Sequence, residues 1–489
     1  VNPLHSPSAP VGTTSEAPVG HPAARRATES PATEQPATEQ PTAEQPTTVP
    51  TATVPTAAVP TAAEQPAAER AAERRRGTGR RAARRSGGRY GRLLELGGRG
   101  FLPIAFVARL PLAMITVGAL TLATAVTGSY AVGGAAAGAV GIGSALGGPL
   151  MGHLADRVGQ RAVLLVSALA HTVAIGVLLV TAHAGTDPAG PAVPLLVAAA
   201  LLVGATCPQV GPLARVRWRG LTGGDRQELD TALSYESTAD ELTFVLGPAL
   251  VGLLASLLAP WTPFVLAAVL TLTMVSCFAV HPTHRAAPAA PRPRRRAAAA
   301  PGPGRDRVLV LLPVLGMVAM GTFFGAVQNA LSAFGGEFGA QSAAGLLYAV
   351  LGISSAAAAL SVAWWPQRFR PAARWVASAG AMAVLSLLFL LPGDIVPMLA
   401  VLLLVGLPVG PTMVTIYTIG GDVARPERLG TVMTMLASGV VLGTAVGAAL
   451  AGLVAETAGH RGAFAAAIGA ACAMVLISAA LALLRRRDH

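Results

Sequence analysis

The sequence predicts an all-α integral membrane protein: twelve transmembrane helices in two six-helix bundles related by pseudo-twofold symmetry, preceded by a disordered N-terminal tail. Three observations carry that prediction. Apolar runs of about 20 residues recur from Phe101 to Leu484, the length at which a helix crosses the hydrocarbon core with its backbone groups satisfied. Of the 489 residues, 53% are hydrophobic and only 12% charged, where a soluble domain carries about 25% charge. Arginines concentrate in every second loop, as membrane topology demands.

Residues 1–99 form the tail. Its near-repeat Ala-Thr-Glu-Gln-Pro stands at Ala32–Pro36 and again at Ala37–Pro41. Frequent proline with almost no large apolar side chains cannot offset the entropy of ordering. The tail also lacks the apolar core of a signal peptide. An arginine-dense stretch follows, from Arg70 through Arg74, Arg80, Arg84 and Arg89 to Arg92. It reads as a topology anchor that also contacts anionic lipid headgroups, at about 1 kcal/mol per residue near the surface. Behind the net charge of +12, every Lys/Arg position is arginine, and most of them sit in tails and alternate loops. No folded basic face results, and nucleic acid is not an expected partner.

The first bundle, residues 100–280, holds spans expected near Phe101–Ala125, Ala131–Met151, Ala162–Ala182, Ala192–Ala214, Ala232–Ala259 and Thr262–Val280. A Pro/Arg/Ala linker, residues 281–307, leads to the second bundle, residues 308–484. Its spans are expected near Val308–Leu331, Ala340–Trp364, Arg374–Leu391, Ile395–Ile419, Leu429–Glu456 and Ala463–Leu484, with residues 485–489 as a short tail. One set of loops carries Arg157, Arg161, Arg215, Arg217, Arg219, Arg226, Arg368, Arg370, Arg425 and Arg428; the opposite set carries only Arg461. By the positive-inside rule both termini and the basic loops lie in the cytoplasm, at the plasma membrane.

The halves are related. Leu229-Asp-Thr-Ala-Leu-Ser aligns without a gap on Leu429-Gly-Thr-Val-Met-Thr, and Gly247, Leu250, Gly252 and Leu253 on Gly447, Leu450, Gly452 and Leu453. Leu-Leu-Val-Gly of span four recurs in span ten. Two repeats related by an axis along the membrane normal place a site between them and suit alternating access. Small residues at four-residue spacing let helices approach closely: Gly134/Gly138, Gly143/Gly147 and Gly148/Gly152 in span two, and Gly439, Gly443 and Gly447 in span eleven.

Ionisable residues inside spans cost about 2.5–3.5 kcal/mol each on insertion scales and mark pathways or proton relays. Arg109 lies in span one; Glu236, Asp240 and Glu241 lie in span five, where span eleven has Leu436, Val440 and Val441. The repeat is broken at the acids alone. Similar depth predicts that Arg109 pairs with Asp240 or Glu241, one acid being placed to exchange a proton as the cavity changes sides. Gln209, Gln328, Asn329, Thr412, Thr415 and Tyr417 are polar enough to line that cavity. His171 and the cysteines Cys207, Cys277 and Cys472 are expected to be buried packing residues, and no metal or cofactor site is indicated. No nucleophile with a base stands within the spans, so an enzyme is not expected.

Between spans two and three runs Gly152-His-Leu-Ala-Asp156-Arg157-Val-Gly159-Gln160-Arg161. The pattern Gly-x-Leu-x-Asp-Arg-x-Gly-x-Arg resembles the signature loop of the major facilitator superfamily. That resemblance implies that Asp156 latches onto the start of span eleven. Gly152 would permit the approach, Gly159 would make the turn, and Arg157 and Arg161 would border it. Gln160 stands where a basic residue is usual, and the counterpart Trp364–Arg370 has no acid. Gly247-Pro248 resembles a motif of drug/proton antiporters of that superfamily. Val251 departs from it, and span four, ending at Ala214, contains no arginine. The resemblance implies a monomeric secondary transporter of a small solute, proton-coupled or facilitative, with export ahead of uptake by a symporter or facilitator and a non-transporting receptor last.

Overall fold

A computed structural model describes residues 88–98, 100–184, 192–287, 303–338 and 344–486. Most of the tail, the central linker cluster Arg292–Arg296 and the last residues lie outside this range. Among the described residues, eleven helices are long and apolar enough to cross a membrane. The last, Pro426–Arg485, has 60 residues, about 90 Å and three bilayer cores if straight. It is broken by Gly459 at φ 63°, ψ −163°, a backbone conformation open to glycine. Spans eleven and twelve are the two pieces.

Helix ends follow local chemistry. Span two opens at Ser129, whose Oγ accepts from the Val132 amide at 3.3 Å, and closes at Gly159 with φ 91°. Asp225 caps span five by accepting from the Gln227 and Glu228 amides at 2.8 and 3.1 Å. Two spans are interrupted. Span one breaks at Ala108–Arg109, between helices Phe101–Val107 and Leu110–Thr127, because Pro111 has no amide to give the preceding turn. Span four breaks at Cys207-Pro208-Gln209, between Ala192–Thr206 and Val210–Leu221.

The sequence ended span four at Ala214. The helix instead runs on to Leu221, so Arg215 and Arg217 lie inside the protein rather than in a loop, each fully buried. The cysteine expectation is also corrected. Cys207 is buried, but Cys277 and Cys472 are exposed on the helix surface, among side chains such as Leu146, Val166 and Leu476 that suit lipid.

Glycine sets the packing, and the pattern repeats between halves. A Cβ on Gly147 of span two would lie 2.0 Å from the Ala205 carbonyl of span four, and one on Gly410 of span ten 2.1 Å from the Ser355 carbonyl of span eight. A Cβ on Gly247 of span five would lie 2.6 Å from the Ala113 side chain of span one. Its repeat partner Gly447 of span eleven would meet the Thr322 carbonyl of span seven at 2.0 Å. Span two offers a second glycine face across the seam: a Cβ on Gly148 would meet Ser438 Oγ at 2.4 Å, and one on Gly152 Thr434 Oγ1 at 2.1 Å. The seam between the bundles is thus as closely packed as the bundles themselves at this end.

Backbone contact of this kind leaves no room for a side chain. Gly147→Val is expected to cost about 1–3 kcal/mol or more through overpacking. Gly138→Ala, with open space around it, is expected to leave thermal unfolding of the purified protein unchanged.

Candidate functional site

The two breaks face each other. Arg109, at the interruption of span one, and Pro208–Pro212, at the interruption of span four, line a narrow pocket at the seam. Asp240, Thr243 and Phe244 of span five complete the wall from the first bundle; Met413 and Tyr417 of span ten and Ala437, Val440 and Val441 of span eleven supply the other. Non-helical backbone is tolerated at membrane depth where it lines a cavity, which accounts for both interruptions.

Four charges are grouped on the first-bundle wall. Arg109 Nη2 bonds Glu236 Oε2, and its Nη1 lies 3.6 Å from Asp240 Oδ1. Arg215 Nη2 donates to Asp240 Oδ2 at 2.7 Å, and its guanidinium lies 3.7 Å from the Tyr417 ring centroid across the seam. Trp218 Nε1 donates to Glu236 Oε1 at 2.6 Å. Two cations thus face two anions, which is what a low-dielectric site requires. Arg109 pairs with Asp240, one of the two acids expected for it, and bonds Glu236 as well. Glu241 points elsewhere, and its Oε1 accepts from Ser355 Oγ of span eight at 2.8 Å. That divergence follows from the 100° turn between neighbours on a helix.

Of the other candidates, Gln209 and Tyr417 line the pocket. Thr412 and Thr415 turn their hydroxyls to the Pro408 and Pro411 carbonyls, at 2.7 Å each. Asn329 donates to the Ala448 carbonyl at 3.2 Å, and Gln328 is exposed. His171 is buried, its Nδ1 3.0 Å from the Val203 carbonyl. Arg215, Trp218 and Ser355 were missed by the sequence reading. The signal for Arg215 was present: two or three acids in one span with a single arginine leave a charge unbalanced.

The face carrying Gly159 is tied shut on both sides of the pocket. Asp156 accepts from the Gly430 amide, the Thr431 amide and Thr431 Oγ1 at 2.8, 2.8 and 2.7 Å, at the start of span eleven. Such a carboxylate gains roughly 0.3–1 kcal/mol from the helix terminus, up to ~2 when partly buried. Gly152 and Gly430 admit it, since a Cβ on Gly430 would sit 2.6 Å from Asp156 Oδ1. Arg157 and Arg161 are exposed. Gln160 is buried and accepts from Arg217 Nε at 2.9 Å; a basic residue there would meet a cation.

On the other side the polarity is reversed. Asp230, the repeat counterpart of Gly430, is itself the acid, and it receives Arg374 Nη1 at 3.2 Å and Gln367 Nε2 at 3.1 Å. The loop after span eight has no acid because span five provides one. Asp422 of span ten joins Arg219 and Arg226 at 3.2 and 2.8 Å. A short amphipathic helix, Gly88–Gly97, straps across this side. Its Arg89 bonds the Ala363 carbonyl, and Tyr90 Oη donates to the Leu360 carbonyl at 2.7 Å. Burial pushes the Tyr90 hydroxyl pKa well up, against a smaller lowering by Arg89.

A family model described as Major Facilitator Superfamily matches residues 101–437. The chain belongs to the major facilitator superfamily. Solved structures agree in fold. The human organic anion transporter MFSD10 (TETRAN) is 20% identical, covering 78% of this chain and 99% of its own, with TM-score 0.60. A bacterial homologue of the iron transporter ferroportin in an outward-facing state is 14% identical, covering 78% and 98%, with TM-score 0.62. The transporter FucP in the outward conformation is 12% identical, covering 78% and 98%, with TM-score 0.53. No curated protein matches the chain. This major facilitator protein is a secondary transporter.

Breaking the buried Asp230–Arg374 pair from one side strands a charge. Asp230→Asn or Arg374→Gln is expected to cost about 3–5 kcal/mol, and the exchange of both (Asp230→Arg with Arg374→Asp) to recover part of it. A double-mutant cycle by thermal unfolding checks this; additive losses would show that the pair does not interact.

Proposed function

We propose that this protein is a proton-coupled carrier of a small amphiphilic solute, working by alternating access in the plasma membrane with both termini in the cytoplasm. The observation that carries the reading is the pocket at the seam, which is lined by both bundles. The bonds described between the bundles lie from that depth down to the basic face. Asp156 on one side, and Asp230 with the amphipathic strap on the other, hold that face closed while the pocket stays between the halves. Releasing both sides lets the bundles tilt and turns the same pocket to the cytoplasm. Of the charged groups grouped here, Glu236, Asp240 and Glu241 give the cycle its proton-binding candidates, and Arg109 is their counter-charge.

The test needs no substrate. Spin labels on the basic ends of spans two and eleven, and of spans five and eight, are expected to report two distance populations in lipid. Asp156→Asn weakens the latch by about 1 kcal/mol, which shifts that equilibrium about fivefold toward the open basic face. A single distance, unchanged by the substitution, would rule out alternating access.

A further inference from the structure

The two arginines at the pocket keep buried donors that have no acceptor. Arg109 and Arg215, 4% and 0% exposed, leave Arg109 Nε and Arg215 Nε and Nη1 without an acceptor. Three of the four carboxylate oxygens of Glu236 and Asp240 are spent, Glu236 Oε1 on Trp218, Glu236 Oε2 on Arg109 and Asp240 Oδ2 on Arg215, while Asp240 Oδ1 has Arg109 Nη1 at 3.6 Å. Buried donors of this kind call for a partner. The place for it is marked by Gly211, on the pocket wall. A Cβ there would lie 3.5 Å from Arg109 Nε, 3.4 Å from Arg215 Nη1 and 3.1 Å from Asp240 Oδ1. The bare glycine therefore opens a notch within reach of both guanidinium groups. Across it stand Met413, Ala437, Val440 and Val441, with no charge among them.

We propose that the pocket binds an organic anion, its carboxylate held over Gly211 by Arg109 and Arg215 and its apolar body against Met413, Val440 and Val441, and that one proton travels with it on Asp240. This rests on the carrier reading above. The walls are neutral while Arg109, Arg215, Glu236 and Asp240 are all ionised. A carboxylate adds one negative charge beside Asp240 Oδ1, and a proton on Asp240 restores neutrality. Asp240 faces Arg109 of span one, Arg215 of span four and Tyr417 of span ten, with Glu236 and Glu241 on its own helix, while span eleven brings only apolar groups. A cation would find only Asp240 Oδ1, which already has Arg109 Nη1 at 3.6 Å and a second guanidinium beside it. The proton comes from water entering with the anion on the open face and leaves on the other. Such co-transport runs as uptake under an inward proton gradient, the reverse of the export that Gly247-Pro248 favours.

The experiment uses the full chain purified in detergent, with 4-phenylbutyrate and 4-phenylbutylamine as matched probes and thermal stabilisation as readout. Phenylbutyrate is expected to stabilise the protein, with apparent affinity falling as the pH rises although the probe stays ionised. Arg215→Gln and Arg215→Lys are expected to weaken it about tenfold or more, since hydrogen bonds to a charged group are lost. Asp240→Asn, a mimic of the protonated acid, is expected to keep binding and lose its pH dependence. Stabilisation by the amine instead, no stabilisation by the acid, or an effect that survives both Arg215 substitutions would overturn the assignment. The spin-label distances separate the two levels. If the bundles still interconvert while phenylbutyrate fails to bind, the anion assignment alone falls; if they do not, the carrier reading falls with it.

Discussion

Charge neutrality in a buried seam is the constraint on which the rest of this structure depends. Arg109, Arg215, Glu236 and Asp240 stand together where water is scarce, and each would be costly alone. Bringing two arginines from different spans onto two acids four residues apart on span five fixes the relative rotation of spans one, four and five. The breaks at Arg109 and at Pro208-Gln209 lie beside this group. A continuous helix would bury its backbone groups against itself, whereas an interrupted one offers a cavity both side chains and main chain.

The same acids explain the asymmetry between the bundles. Span eleven is the repeat of span five, yet it presents Val440 and Val441 to the pocket where span five presents Asp240 and turns Glu241 to Ser355. One wall therefore holds the charge and the other the apolar surface. At the basic face the asymmetry recurs in another form. Asp156 reaches from the first bundle to backbone amides of the second, while Asp230 waits on span five for Arg374. The first closure joins a carboxylate to two backbone amides and the Thr431 hydroxyl and needs glycine at 430, whereas the second is a carboxylate–guanidinium pair that needs Arg374. The amphipathic strap through Arg89 and Tyr90 adds to the second.

Most of the fold was legible in the sequence because length and hydropathy alone decide what crosses a bilayer. The repeat showed directly, since Gly247 and Gly447 serve the same close contact in each half. Helix ends were harder. Span four was cut short at Ala214 because arginine reads as loop by hydropathy. Arg215 and Arg217 stay inside only by pairing with Asp240 and Gln160, residues remote in sequence. Depth along two helices put Asp240 beside Arg109, but the rotation that brings Glu236 to it as well was not readable. Cys277 and Cys472 show the same limit, since an apolar run does not say which face meets lipid.

Gln160 illustrates how far a local departure can be understood once its neighbours are known. Read alone, it weakens the latch, because a basic residue is usual there. In the structure its amide oxygen accepts Arg217 Nε and its nitrogen donates to the Leu213 carbonyl at 3.3 Å. Arg217 itself lies over Phe278, 3.8 Å from the ring centroid, and donates to the Phe278 carbonyl at 2.7 Å. A buried guanidinium without a carboxylate is tolerated here because a neutral amide, a carbonyl and a ring share its charge. Arginine or lysine at 160 would remove the acceptor and add a second cation. The glutamine is therefore the residue that the long span four demands, and the loop motif yields to it.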